Sequence, residues 1–229
     1  MRLFLFDVDQ TLVNTGGAGL RALDRACHKL LSIENAMVGV DPSGKTDPAI
    51  VREIFTRLNI ASNDGVHIET VLEAYLAFLR EEVEMSEKYH VLPGITGILD
   101  EISALPNTML GLATGNIELG ARVKLQRGGL NRYFSFGGFG SDSENRTELV
   151  RKAGEAASRR HGDSIRPEEI FVIGDTPLDI AAGLGAGYKT VGVATGRYST
   201  VRLHEAGATF VISNFEQGRD HFLRSVFTE

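Results

Sequence analysis

The feature of this sequence that most constrains its fold is the alternation, after residue 90, of short apolar runs with amphipathic helical segments. The apolar runs lie at residues 109–114, near 133–136, and at 170–175, 190–195 and 209–213, and the helical patterns lie near 95–105, after Asn116 and at 147–160. Parallel strands need crossover connections, which are usually helices. The alternation therefore predicts βαβ units and a parallel sheet with helices on both faces.

Residues 15–89 carry a different pattern. An apolar run of strand type at residues 3–6 precedes them, and helical spacing follows at 20–31, 47–58 and 70–83 without a convincing strand. The predicted fold class is therefore α/β, with a Rossmann-like core domain formed by residues 1–14 and 90–229. The predicted α-helical cap domain, residues 15–89, is inserted after the first strand.

The composition excludes several classes of protein. A chain of 229 residues can bury a sizeable core, and its net charge of −6 gives no basic footprint for nucleic acid. The apolar start ends at Asp7, too early for a signal peptide, and no later run could span a bilayer. The single cysteine, Cys27, cannot form an internal disulfide. We expect a cytoplasmic protein with no nucleic-acid or membrane partner, and the sequence leaves its oligomeric state open.

Polar residues follow the ends of several predicted strands. In open α/β sheets, ligands bind outside the carboxyl ends of the strands, so these residues are candidates for a site. The candidates are Asp7, Asp9 and Thr11 after the first strand, Thr114, Gly115 and Asn116 after the second, Arg146 before a helix, and Asp175 with Asp179 after IFVIG.

Three acidic residues at neighbouring strand ends would repel one another unless a cation neutralised them. The sequence therefore predicts a metal among these acidic residues. Carboxylate oxygens, with room left for water and a phosphate oxygen, suit Mg²⁺ better than zinc.

The set of motifs resembles the haloacid dehalogenase superfamily, in its phosphatase branch with a helical cap inserted after the first motif, which includes proteins similar to phosphoglycolate phosphatase and beta-phosphoglucomutase. DVDQT at residues 7–11 resembles the DxDxT motif of that family, and LATGN at residues 112–116 resembles its threonine motif. Arg146 stands for the basic residue of the family, and GDTPLD at residues 174–179 resembles its acidic metal motif. The resemblance covers nearly the whole chain.

The resemblance implies a Mg²⁺-dependent phosphatase that hydrolyses a phosphomonoester of a small metabolite through an aspartyl-phosphate. Asp7 is then the nucleophile and a metal ligand, and Asp9 is the general acid and base, with its backbone carbonyl on the metal. Asp175 completes the set of metal ligands from the protein. Thr11 and Asp179 are implied to hold the metal-binding groups in position without being ligands themselves. The residues implied to bind the phosphoryl group are Thr114, Gly115, Asn116 and Arg146.

Two positions depart from the family pattern. Gln10 stands where the family usually has glycine, and Arg146 stands where the family usually has lysine. An arginine would give a planar, bidentate contact with phosphate that a lysine cannot make. Two alternatives stay open: a phosphosugar mutase with the same residues, and a noncatalytic phosphate-binding protein.

Residues 39–46, GVDPSGKT, match the phosphate-loop pattern of nucleotide hydrolases. The match is a weak one, because no strong strand precedes it and because Pro42 has no N–H for phosphate. We interpret the segment instead as a cap loop that faces the core site, in which Lys45 or Asp47 contacts the leaving group of the substrate.

Overall fold

The computed structural model describes residues 1–60 and 67–227. Six strands form one parallel sheet in the order β5-β4-β1-β6-β7-β8, and two further strands form an antiparallel pair. The sheet strands are β1 (Arg2–Phe6), β4 (Thr108–Thr114), β5 (Gly137–Phe139), β6 (Ile170–Gly174), β7 (Lys189–Val193) and β8 (Phe210–Ile212), and the pair is β2 (Val13–Asn14) with β3 (His90–Val91).

Helices connect the strands along the described chain. They are α1 (Ala18–Leu31), α2 (Asp47–Arg57), α3 (Ile68–Met85), α4 (Ile95–Ala104), α5 (Glu118–Gln126), α6 (Arg146–His161), α7 (Pro177–Ala186), α8 (Thr200–Glu205) and α9 (Phe215–Phe227). Short 3₁₀ turns lie at Leu130–Tyr133 and Pro167–Glu169.

The central strand β1 shows why helices cover both faces of the sheet. Side chains alternate along a strand, so Phe4 and Phe6 enter one hydrophobic cluster while Leu3 and Leu5 enter another. The first cluster includes residues of α4 and α9, and the second includes residues of α6 and α7. Both faces of a parallel sheet are thus buried, and the predicted α/β fold class is confirmed.

The strand predicted near residues 133–136 is wrong. Residue 133 ends a 3₁₀ turn, and β5 begins only at Gly137. Phe134 packs edge-on against Phe6 instead of extending a strand. The strand runs through glycines because α6 lies very close, and a Cβ on Gly138 would stand 1.8 Å from the carbonyl oxygen of Leu149. Residues that indicate a turn in a sequence here allow a close strand-helix contact.

The segment 15–89, called the cap segment below, contributes α1, α2 and α3. These helices share a hydrophobic cluster of their own, in which Ala22, Ile54 and Leu79 are fully buried. The chain leaves the sheet through β2 and returns through β3, so the antiparallel pair joins both ends of the segment. This arrangement supports the predicted division into core and cap domains, which stays a prediction; residues 61–66 and 228–229 lie outside the described residues.

Residues 39–46 do not have the surroundings of a phosphate loop. In the described residues no strand lies between β2 and β3, and the segment leads into α2, whose N-cap is Thr46. Lys45 forms an ion pair with Glu53 of α2. Of the helices in residues 1–60 and 67–227, none has both the length and the apolar character needed to cross a membrane.

Candidate active site

The acidic candidates meet because their strands are neighbours. Phe6 of β1 pairs with Ile173 of β6, so Asp7 and Asp175 leave the same edge of the sheet side by side. Asp7 keeps the ladder contact, since its N–H donates to the carbonyl of Ile173 at 2.9 Å. Carboxylate oxygens of Asp7, Asp175 and Asp179 lie within 4.8 Å of one another. The structure thus brings three of the predicted acidic residues together.

Asp179 is fixed by the start of α7. The N–H and hydroxyl of Thr176 donate to Asp179 Oδ2 at 3.0 and 2.7 Å, and Thr176 Oγ1 accepts from the N–H of Asp179, which makes a capping box. Pro177 occupies the first turn of α7, where its missing N–H and fixed φ are tolerated. Gly174 leaves room for this carboxylate, because a Cβ there would lie 2.3 Å from Asp179 Cγ.

Arg146 reaches the same acidic cluster from the first turn of α6. Its guanidinium donates to Asp179 and lies 3.6 Å from Asp7 Oδ1. It also donates to the carbonyl of Gly44 in the cap segment at 3.0 Å. Because the guanidinium is nearly buried, it offers a fixed positive charge beside Asp7, where a phosphoryl group would need one.

The cluster is electrostatically suited to a cation. Burial, with Asp179 adding repulsion and Arg146 opposing it, raises the pKa of Asp7 to about 7. Burial and the charges of Asp179 and Asp7 raise the pKa of Asp175 to about 9. A divalent cation among these oxygens would remove the cost of ionising both groups, and an all-oxygen donor set suits Mg²⁺. The residues therefore fit the predicted metal.

Asp9 belongs to a second network that extends into the cap segment. Its Oδ2 accepts hydrogen bonds from Lys124 Nζ at 2.6 Å and from Asn116 Nδ2 at 2.8 Å. Lys124 also donates to Asn116 Oδ1 at 2.5 Å, and the Tyr75 hydroxyl of α3 lies beside it. Burial alone lowers the pKa of Lys124, but the nearby charges of Asp9 and Asp47 more than compensate and raise it. Lys124 is therefore a fixed cation next to Asp9.

Lys124 was not predicted from the sequence. It lies on α5 in register with the buried Gly120, Ala121 and Leu125, so a lysine occupies the apolar face of an amphipathic helix. That position is the signal that could have identified it, since buried lysines are rare unless they are paired.

The threonine motif, residues 112–116, packs tightly against the cap segment. Thr114 Oγ1 accepts from Asn116 Nδ2 at 2.9 Å, and its side chain also hydrogen-bonds Asp7. The carbonyl of Gly115 accepts from the N–H of Asp47 at 2.8 Å, and a Cβ on Gly115 would stand 2.2 Å from the carbonyl oxygen of Lys45. Only glycine allows this approach.

Gln10 has a left-handed backbone conformation, with a φ of 58°. That conformation favours glycine, which is the residue the resemblance leads one to expect at this position. The hydroxyl of Thr195 donates to the carbonyl of Gln10 at 2.5 Å and holds the turn. Next to it, Gly196 packs so closely on Asp175 that a Cβ would lie 1.8 Å from Oδ2.

These groups surround a cavity of about 270 Å³ between the sheet edge and the cap segment. Predicted site residues that line it are Asp7, Asp9, Lys45, Asp47, Gly115, Asn116, Arg146 and Asp175. Thr11, Thr114 and Asp179 do not line it and are buried behind it. Asp47 faces the cavity, but its Oδ2 accepts the N–H of Ile117 at 2.8 Å, which ties the cap segment to the start of α5.

Comparisons with solved structures show the same fold at low sequence identity. A hydrolase from Pseudomonas syringae is 20% identical with a TM-score of 0.70, and covers 97% of this chain and 98% of its own. A protein titled "predicted phosphatase" from Clostridium acetobutylicum is 18% identical with a TM-score of 0.73 and the same coverage of 97% and 98%. CbbY from Rhodobacter sphaeroides, solved in complex with phosphate, is 18% identical with a TM-score of 0.72, covering 95% and 96%.

No curated protein matches the chain. The profile of one family, described as haloacid dehalogenase-like hydrolase, matches residues 4–193, which is most of the sequence and includes all the strand ends of the site. The order of the motifs, the acidic cluster and this match agree, and the chain belongs to the haloacid dehalogenase-like hydrolases.

Proposed function

We propose that this hydrolase is a Mg²⁺-dependent phosphatase that cleaves a phosphomonoester of a small metabolite. The observation that carries the proposal is the position of Asp7, which lies at the end of the central strand, faces the cavity and has Arg146 and Asp175 beside it. A nucleophile, a cation for phosphate and a cluster suited to a metal thus share one edge of the sheet.

In the first step, a carboxylate oxygen of Asp7 attacks phosphorus. The bond between phosphorus and the leaving alcohol breaks, and Asp9 donates its proton to the departing oxygen. Arg146 balances the charge on the phosphoryl oxygens from its buried position. The product of this step is an aspartyl-phosphate on Asp7 and a free alcohol.

In the second step, Asp9 takes a proton from water, and the water oxygen attacks phosphorus. The bond to Asp7 breaks, inorganic phosphate leaves, and both side chains return to their starting states. Asp9 can serve in both steps because Lys124 and Asn116 hold its carboxylate in one place.

The metal would be held by the carboxylates of Asp7 and Asp175 and by the backbone carbonyl of Asp9. When bound, Mg²⁺ supplies positive charge to the phosphoryl oxygens. Asp179 would then position the neighbouring groups without binding the metal itself, because its own oxygens accept hydrogen bonds from Thr176 and Arg146.

The cap segment, which we propose is a separate cap domain, closes the cavity over the substrate. Asp47 and Gly44 contact the core directly, through Ile117 and Arg146. Closure excludes bulk water from the reacting groups, apart from the water molecule that the second step consumes. We place the reaction in the cytoplasm, where the buried Cys27 would stay reduced.

The test is phosphate release from a panel of phosphorylated metabolites and a generic aryl phosphate, with Mg²⁺ or a chelator. We expect release that needs the metal and that is lost in Asp7→Asn, whose amide is not a nucleophile. Release that persists in folded Asp7→Asn would contradict the mechanism. An isomerised sugar phosphate without net release would indicate a mutase, and binding of a phosphorylated ligand without turnover would indicate a binding protein.

A further inference from the structure

The cap side of the cavity includes a continuous set of apolar side chains, called the apolar wall below. Leu20 and Leu23 come from α1, Met37 from the following loop and Ile50 from α2. Leu23, Met37 and Ile50 are buried, so they form a fixed wall, while Leu20 lies at the rim with 42% of its surface exposed. The group that leaves from phosphate must lie against this wall, because the sheet edge is taken up by the acidic cluster and Arg146.

The cations that line the cavity are already paired. Among the described residues these cations are Lys45, Lys124 and Arg146. Lys45 lies 2.5 Å from Glu53, Lys124 lies 2.6 Å from Asp9, and Arg146 contacts Asp179 and Asp7. In the proposed reaction Arg146 and the metal serve the phosphoryl group. A carboxylate or a second phosphate on the leaving group would then have to break one of these ion pairs to find a partner, which reduces the net gain in binding free energy.

Few hydroxyl partners are available on the same wall. The hydroxyls of the described cap-segment residues that line the cavity belong to Thr15, Ser43 and Tyr75. Ser43 hydrogen-bonds Asp41, and Tyr75 hydrogen-bonds Lys124. The other polar side chains of the described residues on the cap side are Asp47 and Lys45, which already contact the N–H of Ile117 and the carboxylate of Glu53. The hydroxyls of a polyol such as a sugar would have to compete with these contacts, and each buried hydroxyl left unsatisfied weakens binding.

We infer that the leaving alcohol of the substrate is small, uncharged and largely apolar. This inference rests on the proposed phosphatase function and narrows its substrate class. The size limit follows from the cavity of about 270 Å³, which lies below the ~300–1,000 Å³ common for sites of drug-sized ligands and must also hold the phosphate. Leu20, Leu23, Met37 and Ile50 are the residues that set the preference.

The experiment compares phosphate release by the Mg²⁺-loaded protein from esters that share one carbon skeleton. Butyl phosphate, erythritol 4-phosphate and 4-hydroxybutyrate phosphate have chains of equal length but carry an apolar, a polyol or a carboxylate leaving group. We expect kcat/KM for butyl phosphate to exceed the other two by about tenfold or more. Equal or higher values for the polyol or the carboxylate would overturn the inference and leave the phosphatase function standing. If no ester is cleaved, the aryl phosphate included, the proposed function fails and the inference with it.

A rim substitution tests the wall itself. Leu20→Arg places an unpaired cation at the cavity without emptying a buried position, so it should raise the ratio of carboxylate to butyl ester turnover by about tenfold. Leu119→Arg is the matched control, because Leu119 is also an exposed leucine near a helix start but does not line the cavity. An unchanged ratio in folded Leu20→Arg would show that the leaving group does not meet this wall.

Discussion

Lys124 Nζ donates a hydrogen bond to Asp9 Oδ2 over 2.6 Å and joins the apolar face of α5 to the residue proposed to move protons. The lysine is almost completely buried, whereas 40% of the Asp9 side chain is exposed. The buried lysine therefore holds the more exposed aspartate in place. Asn116 bonds both side chains and prevents Asp9 from turning away from the cavity.

We predict that Lys124→Met lowers kcat/KM for alkyl phosphates by about 10²-fold or more, because proton donation to a poor leaving group needs a correctly placed Asp9. For 2,4-dinitrophenyl phosphate, whose leaving group needs no proton, the loss should be less than about tenfold. Steady-state kinetics on both esters measures the difference. Lys152→Met is the control, because Lys152 is exposed and donates to the carbonyl of Asp142, away from the cavity. Equal losses on both esters would indicate a purely structural role for Lys124.

Arg146→Lys should weaken catalysis although it keeps the charge. The guanidinium reaches Asp179, Asp7 and the carbonyl of Gly44 at once, and an ammonium group cannot reproduce that planar set of contacts. We expect a loss of about 1.5–3 kcal/mol of transition-state stabilisation, roughly ten- to a hundredfold in kcat/KM. Arg151→Lys on the same helix, where the arginine is exposed, should change kcat/KM little. Wild-type kinetics in Arg146→Lys would contradict the proposed phosphate contact.

Asp47→Ala should loosen the contact between the cap segment and the core. It leaves the N–H of Ile117 without its acceptor, and an unsatisfied buried donor costs about 1–3 kcal/mol. We expect faster hydrogen exchange at Ile117 and its neighbours and a higher KM. Asp47→Asn keeps an acceptor oxygen and should restore most of both values. If the two variants are equally impaired, the carboxylate acts on the substrate through its charge, as the sequence interpretation of the cap loop proposed.

Two glycine substitutions should shift stability in opposite directions. Gly138→Ala places a Cβ 1.8 Å from the carbonyl oxygen of Leu149 and should cost about 1–3 kcal/mol, because β5 must move away from α6. Gly97→Ala in α4 meets no atom within 4 Å and should stabilise the protein by about 0.5–1 kcal/mol. Urea denaturation of both variants measures the changes. A stable Gly138→Ala protein would show that β5 and α6 are not rigidly packed.

Stability without metal should fall as the pH rises. The folded pKa values of Asp7 and Asp175, about 7 and about 9, lie above the ordinary value of 3.8, so the folded state binds more protons than the unfolded state between these limits. The contribution of these two protonated carboxyl groups to the free energy of unfolding is complete below about pH 4. The contribution of Asp7 is lost as the pH rises to about 7, and that of Asp175 as the pH rises to about 9.

Thermal unfolding of the chelator-treated protein between about pH 5 and pH 9 measures this loss. We expect added Mg²⁺ to restore stability most at the high end of the range, since it binds the ionised carboxylates. Asp175→Asn should show a shallower pH dependence and little response to Mg²⁺. A metal-free protein whose Tm rises across this range would contradict the electrostatic account of the site.

Much of the site could be predicted from the sequence because its chemistry lies at strand ends. An apolar run that stops at Asp7, another that stops at Thr114 and a third that stops at Asp175 are local patterns, and parallel strands carry their ends to one edge. The capping box at Thr176 is equally local, since its partners lie three residues apart. The fold class and the acidic cluster therefore follow from short-range patterns and the geometry of a parallel sheet.

Other features depended on contacts between distant parts of the chain. The position of Lys124 on the apolar face of α5 indicates a buried lysine, but its partners Asp9 and Tyr75 are known only once α5 packs against them. The glycines of β5 resemble a turn in the sequence, and only the packing of α6 across them shows their role. In the same way, the sequence indicates only that Asp47 lies at the start of a helix. Its hydrogen bond with the N–H of Ile117, 70 residues later, is visible only in the folded structure. The sequence by itself determined which strand ends carry reactive groups. Only the tertiary structure decided which charges are paired and which walls are apolar, because burial and pairing depend on neighbours that local periodicity does not record.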